Sequence, residues 1–207
     1  LDEKNTLNAG ARLTNTRLKA EWSERALVDS RLGKTTNKSN ALNMSFGYVY
    51  RPSDQWELRS VLASGFRAPN IDDMGKIREK QGKLTVPNPE LTPEYAYTAD
   101  LGITRYFDQR ASFIQANLYY TILFDYIARQ PYMLPFDLSS DSFSTITHLG
   151  DELETWANTN VGEATLRGAS LQWQAKLSKI IKCSGHINYT NGETRKDKIP
   201  VASILPW

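Results

Sequence analysis

Apolar and polar side chains take turns along much of this chain, and seven stretches alternate with a period of two. The first sets Leu7, Ala9, Ala11 and Leu13 against Asn8, Arg12 and Thr14, then shifts phase through Leu18, Ala20 and Trp22. The second sets Leu42, Met44, Phe46, Tyr48 and Tyr50 against Asn43, Ser45 and Gly47. In the third, Trp56, Leu58, Leu62 and Phe66 share a phase opposite Glu57 and Arg59. The fourth places Tyr95, Tyr97, Ala99, Leu101 and Ile103 opposite Ala96, Thr98, Asp100, Gly102 and Thr104. The fifth runs Ile114 to Phe124 against Gln115, Asn117, Tyr119 and Thr121. The sixth and seventh carry Ala169, Leu171, Trp173, Ala175 and Leu177, then Ile181, Cys183, Ile187 and Tyr189, on their apolar phases. Period two over such lengths predicts strands with one apolar and one polar face, and no stretch shows a helical period.

The connections alternate as well. Arg51-Pro52-Ser53-Asp54, Phe107-Asp108-Gln109-Arg110 and a still tighter break at Ser178-Lys179 are short. The stretches 23–40, 67–92 and 128–160 are long. Strict alternation predicts an antiparallel up-and-down meander with turns at one end and loops at the other, the form of a membrane β-barrel. The fifth segment extends from Ala111 towards Ala128, longer than the 9–11 residues that span a bilayer.

Aromatic positions divide between the two ends. Trp22, Phe66, Tyr95, Phe124, Tyr126 and Tyr189 fall towards the long loops, and Tyr48, Tyr50, Trp56 and Tyr106 towards the turns. Two girdles on an apolar face are expected where lipid meets water. From Trp56 to Phe66 the rise is roughly 23 Å at a tilt near 45°, close to the apolar band of such barrels. The alternative is a soluble β-sandwich binding module with aromatic-capped strands; an outer-membrane enzyme or autotransporter barrel is the other rival.

The stretch 64–94 lies between the third and fourth strands. It opens Ser64-Gly65-Phe66-Arg67-Ala68-Pro69-Asn70 and closes Pro87-Asn88-Pro89-Glu90-Leu91-Thr92-Pro93-Glu94. Proline fixes φ, lacks an N–H and pushes its predecessor to extended geometry, so both clusters stop a strand and stiffen the loop foot. Arg67 is placed to tie the feet together through Glu90 or Glu94.

These two motifs, in this order and spacing, resemble the barrel of TonB-dependent outer-membrane receptors, in a Bacteroidetes-like form. The stretch 156–170 resembles the family strand returning from a long outer loop, with a bulge or kink expected at Gly168, where the apolar phase changes. Lys198 to Trp207 resembles the run into a later strand. The resemblance implies an all-β arc of about seven strands in a transmembrane barrel of about 22. Residues 1–207 would be one partial barrel domain, with the plug, early strands and final strands outside it. It further implies a bacterial outer-membrane receptor for a scarce nutrient: siderophore-bound iron, cobalamin, haem or a glycan. The TonB complex would energise it through a part beyond this chain, and lipid bilayer and lipopolysaccharide would surround it. Phe66, Arg67, Ala68, Pro69, Asn88, Pro89, Leu91, Pro93 and Glu94 carry the family motif as structural residues. Arg67, Asn70, Tyr132, Phe136 and His148 are the candidates for ligand contact in the outer loops.

Composition narrows little. The chain is 40% hydrophobic with a net charge of +2, which fits a globular protein or a barrel and leaves no nucleic-acid footprint. No run reaches the roughly 18 apolar residues of a spanning helix. Cys183 stands alone, so neither an internal disulfide nor a cysteine-based metal site is expected. Both termini read as cut. No nucleophile elbow, P-loop or zinc motif is present, and no enzyme, cofactor or metal is expected. Asp72-Asp73 reads as solvated loop. Asp151, Glu152 and Glu154 read as mutually repelling acids rather than a cation site, and Lys76, Arg78, Lys80 and Lys83 as a solvated basic run facing an anionic ligand. Haem receptors of the family carry a histidine between the two proline motifs; none lies between Pro69 and Pro87 here, which argues against haem unless His148 ligates it from another loop.

Overall fold

The computed structural model describes residues 3–21, 34–134, 144–148 and 151–201. Trp22, Phe136 and the end of the run to Trp207 lie outside these residues. All seven alternating stretches are strands of one antiparallel sheet. They are β1 (Asn5–Glu21), β2 (Lys34–Ser53), β3 (Trp56–Arg67), β6 (Glu94–Phe107), β7 (Ser112–Phe124), β11 (Ala164–Lys176) and β12 (Lys182–Thr194). Each pairs with its neighbour in chain order, as a meander requires.

The connections 67–92 and 128–160 are not plain loops. They hold a one-turn helix α1 (Ile71–Gly75) and five short strands: β4 (Arg78–Lys80), β5 (Lys83–Thr85), β8 (Ile127–Pro131), β9 (Thr145–His148) and β10 (Asp151–Asn160). β10 is the centre of this second sheet, parallel to β5 on one side and antiparallel to β8 and β9 on the other. The two connections are therefore one folded unit, because each supplies an edge the other needs.

The two faces of the large sheet differ. Its outward phase is apolar and uncovered by any described residue: Leu13 is 80% exposed and Leu118 62%. A sandwich would bury this face, since soluble monomers rarely expose more than a few hundred Å² of contiguous apolar surface. The inward phase is polar through the lower two-thirds. Asn117 Nδ2 donates to Ser170 Oγ at 3.1 Å, Thr98 and Thr121 hydroxyls meet at 2.8 Å, and Glu57 accepts from Arg51 at 2.9 Å. At the loop end the inward phase turns apolar. Leu18 packs with Met74, Leu91 and Ile127, and Leu123, Ala164 and Leu166 pack with Tyr126 and Val201. The small sheet has its own core of Leu84, Val86, Leu134, Leu153 and Ala157.

This explains the phase shifts. In β1 the ladder to β2 is unbroken from Asn5 to Glu21, so Leu18 and Ala20 turn inward without a bulge. The bulge expected at Gly168 is also absent, because β11 keeps register with both β7 and β12. Gly168 is instead a close-approach glycine. A Cβ there would stand 2.5 Å from the Tyr119 ring, whose hydroxyl meets Thr190 Oγ1 at 2.6 Å. A bulge does occur where β2 enters its turn, between Tyr50 and Ser53.

Three further expectations are corrected. Tyr126 is buried under the loop unit rather than in a girdle, since β7 has already ended. Tyr106 takes the inward phase against Phe113, 6.3 Å between ring centroids, while its neighbours Arg105 and Phe107 face outward with Trp56. The β11–β12 connection is wider than the break at Ser178-Lys179, since the strands end at Lys176 and resume at Lys182. The outer girdle is real for Phe66 with Tyr95 (5.6 Å) and Tyr97 with Phe124 (5.8 Å).

A bare apolar phase of this extent is expected to face lipid, where a charge is costly. Leu118→Arg or Leu101→Arg is expected to cost about 2–4 kcal/mol in bilayer folding, and Asn117→Arg on the inward phase less than 1 kcal/mol. Equal costs in equilibrium unfolding from lipid vesicles would contradict this assignment.

Candidate functional site

Beyond its apolar contacts with the large sheet, the loop unit is clamped to it at the foot of the stretch 67–94, and Asn37 Nδ2 of β2 donates to Leu91 O at 2.9 Å. Arg67 ends β3 and Glu94 begins β6, so their side chains meet across the pair. The guanidinium donates from Nε to Glu94 Oε1 at 3.0 Å and from a terminal nitrogen to Oε2 at 3.2 Å. Its other terminal nitrogen reaches Asp73 Oδ2 at 2.7 Å. Only the planar fork of arginine serves two carboxylates this way. Glu94 Oε2 also accepts from the Ile127 N–H at 2.9 Å, so one carboxylate joins β3, β6 and the start of β8. Of the two candidate partners for Arg67, Glu94 is the one used.

Asp73 is not a solvated loop acid. Asn70 caps α1, its side chain accepting from Asp73 N at 2.9 Å, while Asp73 Oδ2 accepts from Asn70 N at 3.0 Å. This capping box satisfies helix N–H groups that otherwise lack partners. Pro69 and Pro87 are buried, Ala68 is half-buried, and Leu91 reaches Met74 in the core. Asn88 is buried, donating to Asn158 O at 2.9 Å and accepting from Glu90 N at 3.1 Å after the turn at Pro89. Past it, Asn160 exchanges two bonds with Thr92, at 2.9 and 3.0 Å, and donates to Asp125 O at 2.7 Å. Pro93, half-buried, leads into Glu94. Phe66 alone of the motif faces outward, against Tyr95.

The Arg67 guanidinium and the Asn70 side-chain oxygen thus bond within the unit. Tyr132 is half-buried against the small core. Burial pushes its phenol above the ordinary value, and the Glu90 carboxylate adds to this, so it stays a neutral O–H donor. His148 closes β9 opposite Asp151. Among the described residues no group of three His, Cys, Asp or Glu side chains converges on a metal-sized space.

A cluster not evident in the sequence lies on the face of the small sheet away from its core. Lys83 Nζ stands 3.8 Å from the centre of the Trp156 ring, and the Arg129 guanidinium 5.9 Å from it. Trp156 Nε1 donates to Glu154 Oε2 at 3.3 Å. Residues 83, 129 and 156 meet only because β5, β10 and β8 are adjacent. Two cations over one indole, one from each strand flanking β10, concentrate positive charge there, suited to an anionic ligand. Arg78 and Lys80 stand exposed on the neighbouring β4.

A family model described as TonB dependent receptor-like, beta-barrel matches residues 1–207. Hemoglobin-binding protein A of Haemophilus influenzae is 26% identical over 180 residues, covering 84% of this chain and 17% of that protein. Copper transporter OprC superposes with a TM-score of 0.69 at 17% identity, over 97% of this chain and 28% of its own. The Serratia marcescens hemophore receptor HasR, solved with its hemophore HasA and heme, gives 0.58 at 16% identity, over 92% and 31%. The siderophore receptor PirA of Acinetobacter baumannii gives 0.61 at 12% identity, over 95% and 35%. The chain therefore spans about a sixth of the curated relative and a quarter to a third of these structures. At these identities the structural matches show the fold alone.

Arg67→Lys keeps a charge but not the fork, leaving Asp73 or Glu94 underserved. We expect a loss of about 1–3 kcal/mol in the local stability of residues 68–93, read by amide exchange, with the strands of the large sheet unchanged. Unchanged protection in this segment would show that the clamp does not hold it.

Proposed function

The chain belongs to the TonB-dependent receptor β-barrel family, and we propose that it forms a sector of the wall and outer loops of an outer-membrane nutrient transporter. The family and the solved neighbours are receptors and transporters. One observation carries the reading: the seven-stranded sheet has one bare apolar face, one polar face, and a folded unit over the polar side at one end only. In the full receptor the polar face lines a lumen, and the loop unit meets the ligand from outside. The TonB complex then drives uptake through a plug beyond this chain, and lipopolysaccharide surrounds the outer half of the wall.

The proposed ligand is an iron chelate with negative charge. The curated relative, named for haemoglobin binding, supports iron. The cationic surround of Trp156 supports an anion. A ferric siderophore is favoured over haem, because no histidine lies between Pro69 and Pro87. Of the residues expected to touch ligand, Arg67 and Asn70 act by shaping the unit. Contact passes to Lys83, Arg129 and Trp156, with Tyr132 behind them; the proposal extends to Phe136 and His148 in the same connection.

Deleting the gene is expected to abolish growth on one ferric siderophore as sole iron source. An Arg129→Ala, Trp156→Ala variant of the full receptor should bind that siderophore roughly tenfold more weakly or worse. Growth loss confined to haem, cobalamin or a glycan would overturn the siderophore assignment. Orientation is read separately. In a Cys183→Ala background, intact cells should label Lys80→Cys with an impermeant maleimide and leave Ser53→Cys unlabelled; the reverse pattern would invert the barrel.

A further inference from the structure

On the face of the small sheet away from its core, charges stand in rows. Leu153, Thr155 and Ala157 of β10 are buried on the core side, so Glu152, Glu154 and Trp156 stand on the other. Leu84 of β5 is buried too, which puts Lys83 with them. Residues directly opposite one another across a ladder share a face. Lys80 opposes Lys83 across β4 and β5, and Lys83 opposes Glu154 across β5 and β10. The next row holds Arg78, Thr85, Trp156 and Pro131, and Arg129 lies one row beyond, opposite Asn158. Cations thus surround the indole on several sides, and Glu154 is the acid in the row beside it.

Glu154 is held at the ring edge, its Oε2 accepting from Trp156 Nε1 at 3.3 Å. An uncharged acceptor such as glutamine would hold the indole N–H as well, so the bond alone does not call for a charge. Among the described residues neither Lys83 nor Arg129 has a carboxylate within ion-pair distance, so the Glu154 charge is not spent in a contact pair. A ligand resting on the indole lies about 7 Å from this charge, two residues along the strand. At that distance each negative charge on the ligand is repelled by roughly one thermal energy in water, which weakens binding about threefold per charge before salt screens it. Lys83 and Arg129 attract the same ligand, and Glu154 offsets one of them.

We propose that Glu154 is the specificity-determining residue of this site, holding its preference to ferric chelates of low net negative charge. The proposal rests on the ferric-chelate reading above and adds to it the residue that sets ligand charge. The two cations draw an anion to the indole, and the fixed carboxylate penalises each further charge the anion brings. A chelate with no net charge feels neither effect.

The test titrates the full-length receptor in detergent with two probes, a ferric trihydroxamate of no net charge and a triply anionic ferric tris-catecholate. Glu154→Gln is expected to tighten the tris-catecholate roughly twentyfold at low salt and about threefold at physiological salt. The trihydroxamate is expected to change less than about twofold, since it carries no charge to repel. Glu154→Asp keeps the charge but is too short for the indole, and is expected to keep the wild-type preference. Glu79→Gln, opposite buried Leu84 and so on the core side of β4, is expected to change nothing. An equal shift for both probes under Glu154→Gln overturns the proposal, as does a shift that salt leaves untouched. Glu154→Asp behaving as Glu154→Gln also overturns it, because the hydrogen bond and not the charge would then matter. Wild type that binds neither probe, or binds both unweakened by Trp156→Ala, brings down the siderophore site and this inference with it. Weakening by Trp156→Ala without a charge-dependent shift under Glu154→Gln brings down this inference alone.

Discussion

A strand shows its side chains to two sides in strict alternation, and in this molecule both sides are governed by what covers them. Outside, over the central band, nothing from the described chain covers the sheet, and the phase there is apolar. Inside, over the same band, it is polar. At the loop end the inward phase becomes apolar because the loop unit lies on it: Leu18 against Met74 and Leu91, and Leu123 and Ala164 against Tyr126. Outward at that height, β1 and β2 carry Asn15, Arg17, Asn40 and Lys38. One ladder, unbroken in register, therefore exchanges which of its faces is apolar along its length. No kink is needed, since hydrogen bonding of the backbone is indifferent to which side is wet.

The loop unit is what makes this exchange stable, and its attachment is economical in atoms. Asn88, buried, and Asn158 and Asn160, half-buried, close the gaps between the two connections, and Arg67 and Glu94 lock them to the wall. Bonds of this kind gain little where water competes, but a polar atom left unmade in such a junction is costly. The proline-rich motif is thus a structural foot. In the function proposed here, recognition falls to side chains held above it, such as Trp156 between Lys83 and Arg129, whose positions depend on the small sheet and not on the motif itself.

The wall was legible in the sequence because its signal is periodic. Leu101 and Leu118 fall on the bare apolar face and Asp100 and Asn117 on the polar one, and pairing in chain order followed from the short turns. The loop unit was hidden for a physical reason. Its strands are short, and their buried phase uses small or polar residues: β10 buries Leu153, Thr155 and Ala157. That alternation is readable once sought, but it competes with Glu152 and Glu154, which look like loop. The β5–β10 parallel pairing joins segments far apart in sequence, which no local pattern encodes. α1 spans five residues, too short to show a helical period; only the spacing of Asn70 and Asp73 marks its cap. Gly168 was misread for the same reason: Ala164 and Leu166 share its face and are apolar because of partners supplied by a distant connection.

The exchange of faces along β1 is the claim on which the account stands. It is measured by placing spin labels one at a time from Leu7 to Ala20 in the full-length receptor in lipid bilayers. Collisions with oxygen report lipid, and collisions with a water-soluble nickel chelate report solvent. The account predicts oxygen access at 7, 9, 11 and 13, chelate access at 15, 17 and 19, and protection from both at 18 and 20. Oxygen access at 18 and 20 matching that at 11 and 13 would mean that these side chains meet lipid and not the loop unit, and would contradict it.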